Sequence, residues 1–489
     1  MELHQLRLLI GIVITAMMQK MTSGALPKSI ALNVGSKEIY QQASCFYRRY
    51  DAYVVSGYDE RDPDHTPEPA HSPASKIIVE QSTVNDKYVH LRFYINNKYW
   101  HKNTRDNRIV ASLNQPIEDT TDPSCTLFEP AFPSQNEVYF THVQTGWRVI
   151  AKAEGHRRYT LYVEENSSGT NLVFVDRETL VILPEHPIAF IHGKYLKAYD
   201  VNGKRLQFGS DKATDKESLH SASMKSNGMV IISSHYFDYF WWVNTKDSNW
   251  VYGGDYTTQG SSVVQIFKPV KIDEYAIALL NPSVNKYCVR STDNCLAATS
   301  DTITSEAIIF VDELVTERQI LNLNYALRDQ RIYGETPFIA GTTTLTNSAP
   351  VDLIMPVEIT YIDEKSYTFS RGGGRLNAGV KHTISTTPWF ISIGKVIIPG
   401  AIIINEEFEW DKADTAANEV TAVGTVSVPK NSTVTVSYVG TKGICSIPFT
   451  YTKADKSAID GKTSFENSVR GGMYEGVSYY NFRFQVDNN

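Results

Sequence analysis

Cysteine is scarce in this chain. Cys45, Cys125, Cys288, Cys295 and Cys445 are all there are in 489 residues. An odd number spread over three regions is no disulfide framework, and no pair has zinc-type spacing. Cys288 and Cys295 could bridge locally; buried free thiols are the reading preferred here, and they suit a reducing compartment. A basic surplus is also missing. Lys and Arg number 47 against 54 Asp and Glu, a net charge of −7, so the electrostatic footprint of a nucleic-acid binder is absent. Nor is there a catalytic signature: no H-E-x-x-H, G-x-S-x-G, P-loop or G-x-G-x-x-G. The glycines of Arg371-Gly372-Gly373-Gly374-Arg375 sit between strands rather than before a helix, which reads as a turn or bulge and not a phosphate cradle. The histidines are dispersed, and His65 to His71 fall in a Pro- and Asp-rich loop. Neither enzyme activity, metal nor cofactor is expected.

No run is long enough to span a bilayer as a helix. The apolar stretch Leu8 to Met18 falls well short of the roughly 20 residues required. Flanked by Arg7 and by Ser23-Gly24-Ala25, it resembles a signal peptide. Glu2 and Lys20 argue against that, and an extension packed on the first domain is the other reading of residues 1–27. The expected location is cytoplasmic at rest, or secreted if this segment is a signal. The sequons at Asn166 and Asn431 matter only in the second case.

What the chain does have is β pattern. Its length calls for two to four domains. Short alternating runs such as Tyr88 to Tyr94, Met229 to Ser233 and Val434 to Val439 are separated by Gly, Asn, Asp and Pro. No segment shows capped helical periodicity, so the fold class is all-β. A unit also recurs: Gly193-Lys194-Tyr195-Leu196 with Leu206 to Asp211, Tyr239 to Val243 with Trp250 to Asp255, and Asn285 to Val289 with Cys295 to Asp301. Three copies about 45 residues apart imply units that stack to bury a shared apolar face, economically a β-trefoil. A degenerate upstream set lies near Phe46-Tyr47, Asn97 to Trp100 and Thr145 to Arg148. Tyr195, Phe240, Trp241 and Tyr287 are expected in the core; Trp250, Tyr236 and Trp147 are the more open candidates.

Ordered matches then give a resemblance. Cys125 to Pro130, His142-Val143-Gln144, Lys194 to Leu196, Leu206 to Gly209, Ser226 to Gly228, Phe240-Trp241 and Trp250-Val251 are similar to the amaranthin agglutinin family. That resemblance implies two tandem β-trefoil domains, at 28–182 and 183–316. It also implies binding of galactose/N-acetylgalactosamine-type glycans where trefoils of two subunits meet, hence a dimer. Where the family carries Asn-His-Tyr-Trp before an Ala-Ser, here Ala111-Ser112, this chain reads Asp106-Asn107-Arg108-Ile109. The stacking aromatics are gone. Asp106, Asn107 and Arg108 remain as the candidate carbohydrate contacts, because carboxylate, amide and guanidinium groups all hydrogen-bond hydroxyls.

From about residue 320 Thr and Ser rise and strands lengthen. Asn322 to Tyr325, Arg331 to Pro337, Ala378 to Lys381, Val428 to Lys430, Cys445 to Tyr451 and Tyr474 to Phe482 resemble plant aerolysin-like modules. The resemblance implies an elongated, twisted β-sheet module over 318–489 that holds a hairpin and releases it, on oligomerisation in a ring, to close a transmembrane barrel. The hairpin is expected between Gly379 and Asp414. Its candidate insertion residues are Ile384, Trp389, Phe390, Ile391, Val396, Ile398, Ile402, Ile404, Phe408 and Trp410. Trp389 to Ile404 reads either as the bilayer-entering tip or as a buried strand–turn–strand; Pro399-Gly400 interrupts its apolar run. The partners expected are glycans and a target membrane, with no nucleic acid. The function expected is a glycan-directed pore former of plant defence, the alternative a soluble stress-related lectin that never inserts.

Overall fold

A computed structural model describes residues 25–33, 69–153, 159–198, 204–254, 265–373, 382–384, 391–393, 396–398 and 406–488. The signal-like segment, Cys45, the Phe46-Tyr47 repeat and His65 lie outside the described residues. Within them every long element is a strand, and the only helical pieces are three-residue 3-10 turns. The described residues form two compact units, one drawn from residues 25–94 and 98–314, the other from 95–97, 315–373 and 382–488.

Ten strands open the first unit: β1 (Ser29–Asn33), β2 (Ile77–Gln81), β3 (Val89–Phe93), β4 (Tyr99–Lys102), β5 (Ile109–Leu113), β6 (Phe128–Ser134), β7 (Glu137–His142), β8 (Trp147–Ala153), β9 (Tyr159–Glu164) and β10 (Leu172–Asp176). Antiparallel ladders run β1–β2–β3–β6–β7–β10 and return from β10 to β1. Six strands therefore close a barrel and leave no edge. Its interior is filled by Ile30, Leu32, Ile77, Leu91, Trp100, Phe128 and Phe140, all at or near zero exposure. Trp100, Phe128 and Phe140 meet edge to face at 6.3–6.4 Å, and each such buried ring contributes about 1.5–3 kcal/mol by leaving water. Hairpins β4–β5 and β8–β9 stand beside the barrel.

The pattern repeats in β11 (Ile188–His192), β12 (Lys194–Ala198), β13 (Leu206–Ser210), β14 (His220–Met224), β15 (Val230–Ser234), β16 (Tyr239–Phe240), β17 (Trp242–Asn244), β18 (Trp250–Tyr252), β19 (Lys268–Lys271), β20 (Ala276–Asn281), β21 (Lys286–Arg290), β22 (Leu296–Ser300) and β23 (Ile309–Glu313). The barrel runs β11–β14–β15, crosses by the Val230–Phe267 bridge to β19, and returns through β20 and β23 to β11. Hairpins β12–β13, β17–β18 and β21–β22 cap it.

These caps interlock by one repeated device. Lys204, Asn249 and Asn294 are equally spaced and share a left-handed backbone, with φ of 74°, 57° and 62°. The Lys204 carbonyl accepts from Gly253 N–H at 3.1 Å, that of Asn249 from Ala298 at 2.9 Å and that of Asn294 from Phe208 at 2.8 Å. The third bond returns to the first hairpin, so the ring is three-fold and closed. A six-stranded barrel capped by three such hairpins is a β-trefoil. Gly253 must stay small, since a Cβ there would sit 2.7 Å from the Leu206 side chain.

The repeat aromatics divide by strand alternation. Trp241 is fully buried and Phe240 is 44% exposed, because neighbouring residues face opposite sides of the barrel wall. Phe240 thus departs from the expected core, and so do Tyr195 and Tyr287, which are half-buried. Leu196, Trp241 and Cys288 fill the equivalent core positions of the three repeats. Among the described residues the four cysteines are free and buried.

His220 is the buried polar centre of this barrel. Its Nε2 faces the Leu196 carbonyl at 3.1 Å, and Trp241 Nε1–H donates to its Nδ1 at 3.3 Å. That arrangement suits the neutral ring, and burial pushes its pKa down to about 4. Unfolded, the ring takes its proton below about pH 6.5; folded, it does not until about pH 4. Stability contributed at neutral pH is therefore lost as pH falls through that window, by about 3 kcal/mol in all. His142, held by the Cys125 carbonyl and shifted down by burial, adds in the same direction. Melting at pH 7 and pH 4.5 should show a drop that is smaller in His220→Gln; an equal drop in both proteins would contradict this.

The second unit is built from β24 (Val315–Tyr325), β25 (Arg331–Asn347), β26 (Leu353–Ser370), β27 (His382–Ile384), β28 (Ile391–Ile393), β29 (Val396–Ile398), β30 (Glu406–Phe408), β31 (Ala413–Val428), β32 (Ser432–Ser457) and β33 (Thr463–Asn488). The sheet order is β30-β27-β24-β32-β33-β26-β31, with β25 also on β32. The central pair, 26 residues each, extends roughly 85 Å at the usual rise per residue. The β26–β31 ribbon packs Val357, Ile359, Val426 and Val428 onto Val434 and Val436. Its other face carries Ser, Thr and exposed Ile354, Ile362 and Val423.

Candidate functional site

Asp106, Asn107 and Arg108 form the turn between β4 and β5. Asn107 N–H donates to the Asn103 carbonyl at 3.1 Å, and Asp106 Oδ1 accepts from Arg108 N–H at 3.2 Å. Asn107 takes the left-handed conformation (φ 58°), one of the few side-chain types that do so readily. Its carbonyl accepts from Val163 N–H at 2.9 Å. This is the cap-locking bond of the second trefoil, found again in the first, so the Asn107 backbone serves the fold.

Arg108 follows and points onto β9. Its Nε donates to Tyr162 Oη at 3.1 Å, pairs with Asp106 Oδ2 at 3.4 Å, and its guanidinium lies 5.8 Å from the Tyr162 ring centre. Lys152 approaches the same ring at 5.3 Å while pairing with Glu164 at 2.8 Å. The structure therefore brings Asp106 and Arg108 together and adds Tyr162, Lys152 and Glu164, which the sequence reading missed. Alternation along Tyr159–Glu164 puts Tyr162 and Glu164 on one face. Only the repeat equivalence of β9 with β18 could have tied them to Arg108. The aromatic face missing from the turn is supplied by Tyr162 on the neighbouring hairpin. The result is an exposed patch with both charge signs, hydroxyl and ring.

Residues 67–174 match the family model for the Agglutinin domain. The matched segment contains the whole patch and supports a carbohydrate-binding, agglutinin-like lectin. No curated protein matches the chain. Among solved structures the chain is similar to a designed 3-fold symmetric protein, ThreeFoil, at 10% identity and a TM-score of 0.23, covering 26% of this chain and 96% of that one. It is similar to a lamprey immune protein at 12% and 0.30, covering 63% and 100%, and to a mosquitocidal holotoxin at 10% and 0.26, covering 62% and 36%. Values this low carry neither fold nor function from those proteins to this lectin-like chain.

The hairpin candidates fall between β26 and β31. Ile384 lies in β27, Ile391 in β28, Val396 and Ile398 in β29, and Phe408 in β30. Trp389, Phe390, Ile402 and Ile404 lie outside the described residues. β27 pairs antiparallel with β30, placing His382 opposite Phe408 and Ile384 opposite Glu406; β28 pairs with β29, placing Ile391 opposite Ile398. The two ladders nest in one register but for a one-residue slip, and the chain reverses between Ile393 and Val396. β27 also runs parallel to β24 over Arg318 to Ile320. Trp410 lies beyond the last paired position, buried against Tyr451 with ring centres 5.6 Å apart and clustered with Tyr367, Phe369 and Phe449.

Proposed function

We propose that the chain is a lectin that docks through its trefoils on membrane glycans of galactose/N-acetylgalactosamine type and oligomerises into a transmembrane β-barrel pore, serving plant defence. The observation that supports the pore most is the nested hairpin between the long strands β26 and β31. Its hydrogen bonds to the remaining sheet are a three-residue parallel ladder on β24, β29 lies against β33 besides, and parallel pairing is slightly the weaker kind per residue. A hairpin leaving this seat would extend the β26–β31 ribbon, and only closure with copies of itself would satisfy its edges in lipid. Trefoil pairing gives a dimer and hairpin closure a larger ring. Weak glycan sites suit such a ring, because avidity multiplies them.

Four free, buried thiols fit a cytoplasmic resting state. Neutral and buried, these four thiols are poor nucleophiles, and the protein is proposed not to be an enzyme. The soluble alternative draws on Glu406 in β30, which by strand alternation shares a face with Phe408 and interrupts a lipid-facing stripe. Dye release from liposomes with and without galactose-terminated glycolipids separates the two. Glycolipid-dependent release is expected; binding without release would leave the soluble lectin. Arg108→Ala and Tyr162→Phe should each weaken glycan binding about tenfold, in line with loss of a charge-assisted hydrogen bond. Unchanged binding in both would remove this patch from the glycan site.

A further inference from the structure

The patch of the first trefoil has a counterpart in the second, and the counterpart is better equipped. Arg205 directly precedes β13 as Arg108 precedes β5, and each follows a residue with positive φ. Both arginines bridge to a tyrosine on the next hairpin, Arg108 to Tyr162 and Arg205 to Tyr252. The Nε-to-Oη distances are 3.1 and 3.2 Å. Cap closure does not require this pair. At the third junction of the second trefoil the equivalent bridge joins Gln207 to buried Cys295, and the backbone bond forms all the same.

Around Arg205 the chain has gathered more than a structural junction uses. Asp247 Oδ2 accepts from Arg205 Nη2 at 2.9 Å and from Tyr252 Oη. The Arg205 guanidinium lies 4.7 Å from the Trp250 ring centre. Below, Trp242 stacks on Tyr252 at 4.9 Å and 21°, and its Nε1–H is tied to the Gly254 carbonyl at 2.8 Å. This layer fixes Tyr252, hence Asp247 and Arg205, so the patch is preorganised. Among the described residues, Asp247 Oδ1, Arg205 Nη1 and Trp250 Nε1 have no partner, and none of them is among the buried unsatisfied atoms. The Asp247 side chain is 40% exposed and that of Arg205 25%. Hydrogen bonds from Tyr252 and Arg205 hold the Asp247 carboxyl below its usual range, so it stays an acceptor in mild acid.

We propose that Arg205, Asp247 and Trp250 form a second glycan subsite, complete within one chain, that takes a neutral pyranose residue. This rests on the lectin reading and deepens it. A pyranose offers an apolar C–H face and neighbouring hydroxyls. The site offers an indole, one open carboxylate oxygen and two open N–H donors within one patch. Arg205 and Asp247 cancel in charge, which favours a neutral sugar over a sialic or uronic acid. With the Arg108–Tyr162 patch, a single chain would then hold two sites, doubling its contacts before any oligomer forms.

The test uses the full-length chain labelled with 5-fluorotryptophan, the Trp250 resonance being assigned from Trp250→Phe. Methyl galactoside, N-acetylgalactosaminide, glucoside and mannoside, and a methyl sialoside, are titrated separately. Expected is a saturable shift of the Trp250 resonance with a neutral glycoside, weakened tenfold or more in isosteric Asp247→Asn, with the other resonances in place. A Trp250 resonance that stays still while a sugar saturates elsewhere overturns the subsite and leaves the lectin. A shift with the sialoside alone overturns the neutral occupant. No binding of any glycoside or glycan overturns subsite and lectin together.

Discussion

A Gln319→Cys/Thr383→Cys variant, made on a Cys45→Ser background, should release no dye from glycolipid liposomes when oxidised and should recover on reduction. The two positions face each other across the parallel ladder of β24 and β27. Adjacent strands lie about 4.8 Å apart, within the span that a disulfide tolerates with small adjustment. Gln319 is on the exposed face and Thr383 is half-buried, so neither change opens the core. The native thiols should not compete. Cys125, Cys288, Cys295 and Cys445 are buried, and burial pushes every one of these thiols up, Cys288 to about 12, which starves them of the reactive thiolate. The bond would pin β27 to the sheet and prevent the β26–β31 ribbon from growing into a barrel strand pair. Glycan binding, proposed for the other unit, should be unchanged. Release persisting in protein shown to be fully cross-linked would mean that β27 never leaves β24, and the pore mechanism would fall with it.

The β class was legible because alternation is local: runs such as Met229 to Ser233 bury every second residue whatever lies beyond. The second trefoil's period was legible for the same reason, since Tyr195, Phe240 and Tyr287 recur at matching steps. Which member of a pair faces inward was not. Trp241 rather than Phe240 fills the core, and both are large and aromatic, so only the wall's alternation decides. The cap lock was hidden more deeply. Asn249 and Asn294 are natural left-handed residues, but Lys204 is not, and a lysine gives no sign that its carbonyl closes a ring. The candidate site was half visible. Asp106 and Arg108 stand in one turn, whereas Tyr162 reaches them only because successive hairpins stack. In the last third, the apolar run from Val396 to Ile404 pointed to a hairpin without its register, which shifts by one residue between the β27–β30 and β28–β29 ladders.

Asp455→Ala should unfold the second unit more readily than any surface change, by about 3–5 kcal/mol, the usual loss when one partner of a buried ion pair is removed. Arg318 and Asp455 are 5% and 2% exposed and meet through two bonds, Nε to Oδ1 at 2.5 Å and Nη2 to Oδ2 at 3.0 Å. Lys453, only 13% exposed, lies 3.7 Å from the same carboxylate and 2.7 Å from Glu466. Without Asp455, two cations would share a poorly solvated site with one half-exposed acid. For a unit of this size the melting temperature should fall by about 10 °C or more. Arg318→Met/Asp455→Leu should regain most of it, because apolar groups of similar volume need neither solvation nor partner. If the double variant melts as low as Asp455→Ala, the pair is holding the β24–β32 register by its directed bonds and not merely cancelling charge. Because Arg318 stands opposite His382 across the seat of the hairpin, that outcome would make the pair part of what holds the hairpin down, and dye release by the double variant should then begin at lower glycolipid content than in the wild type.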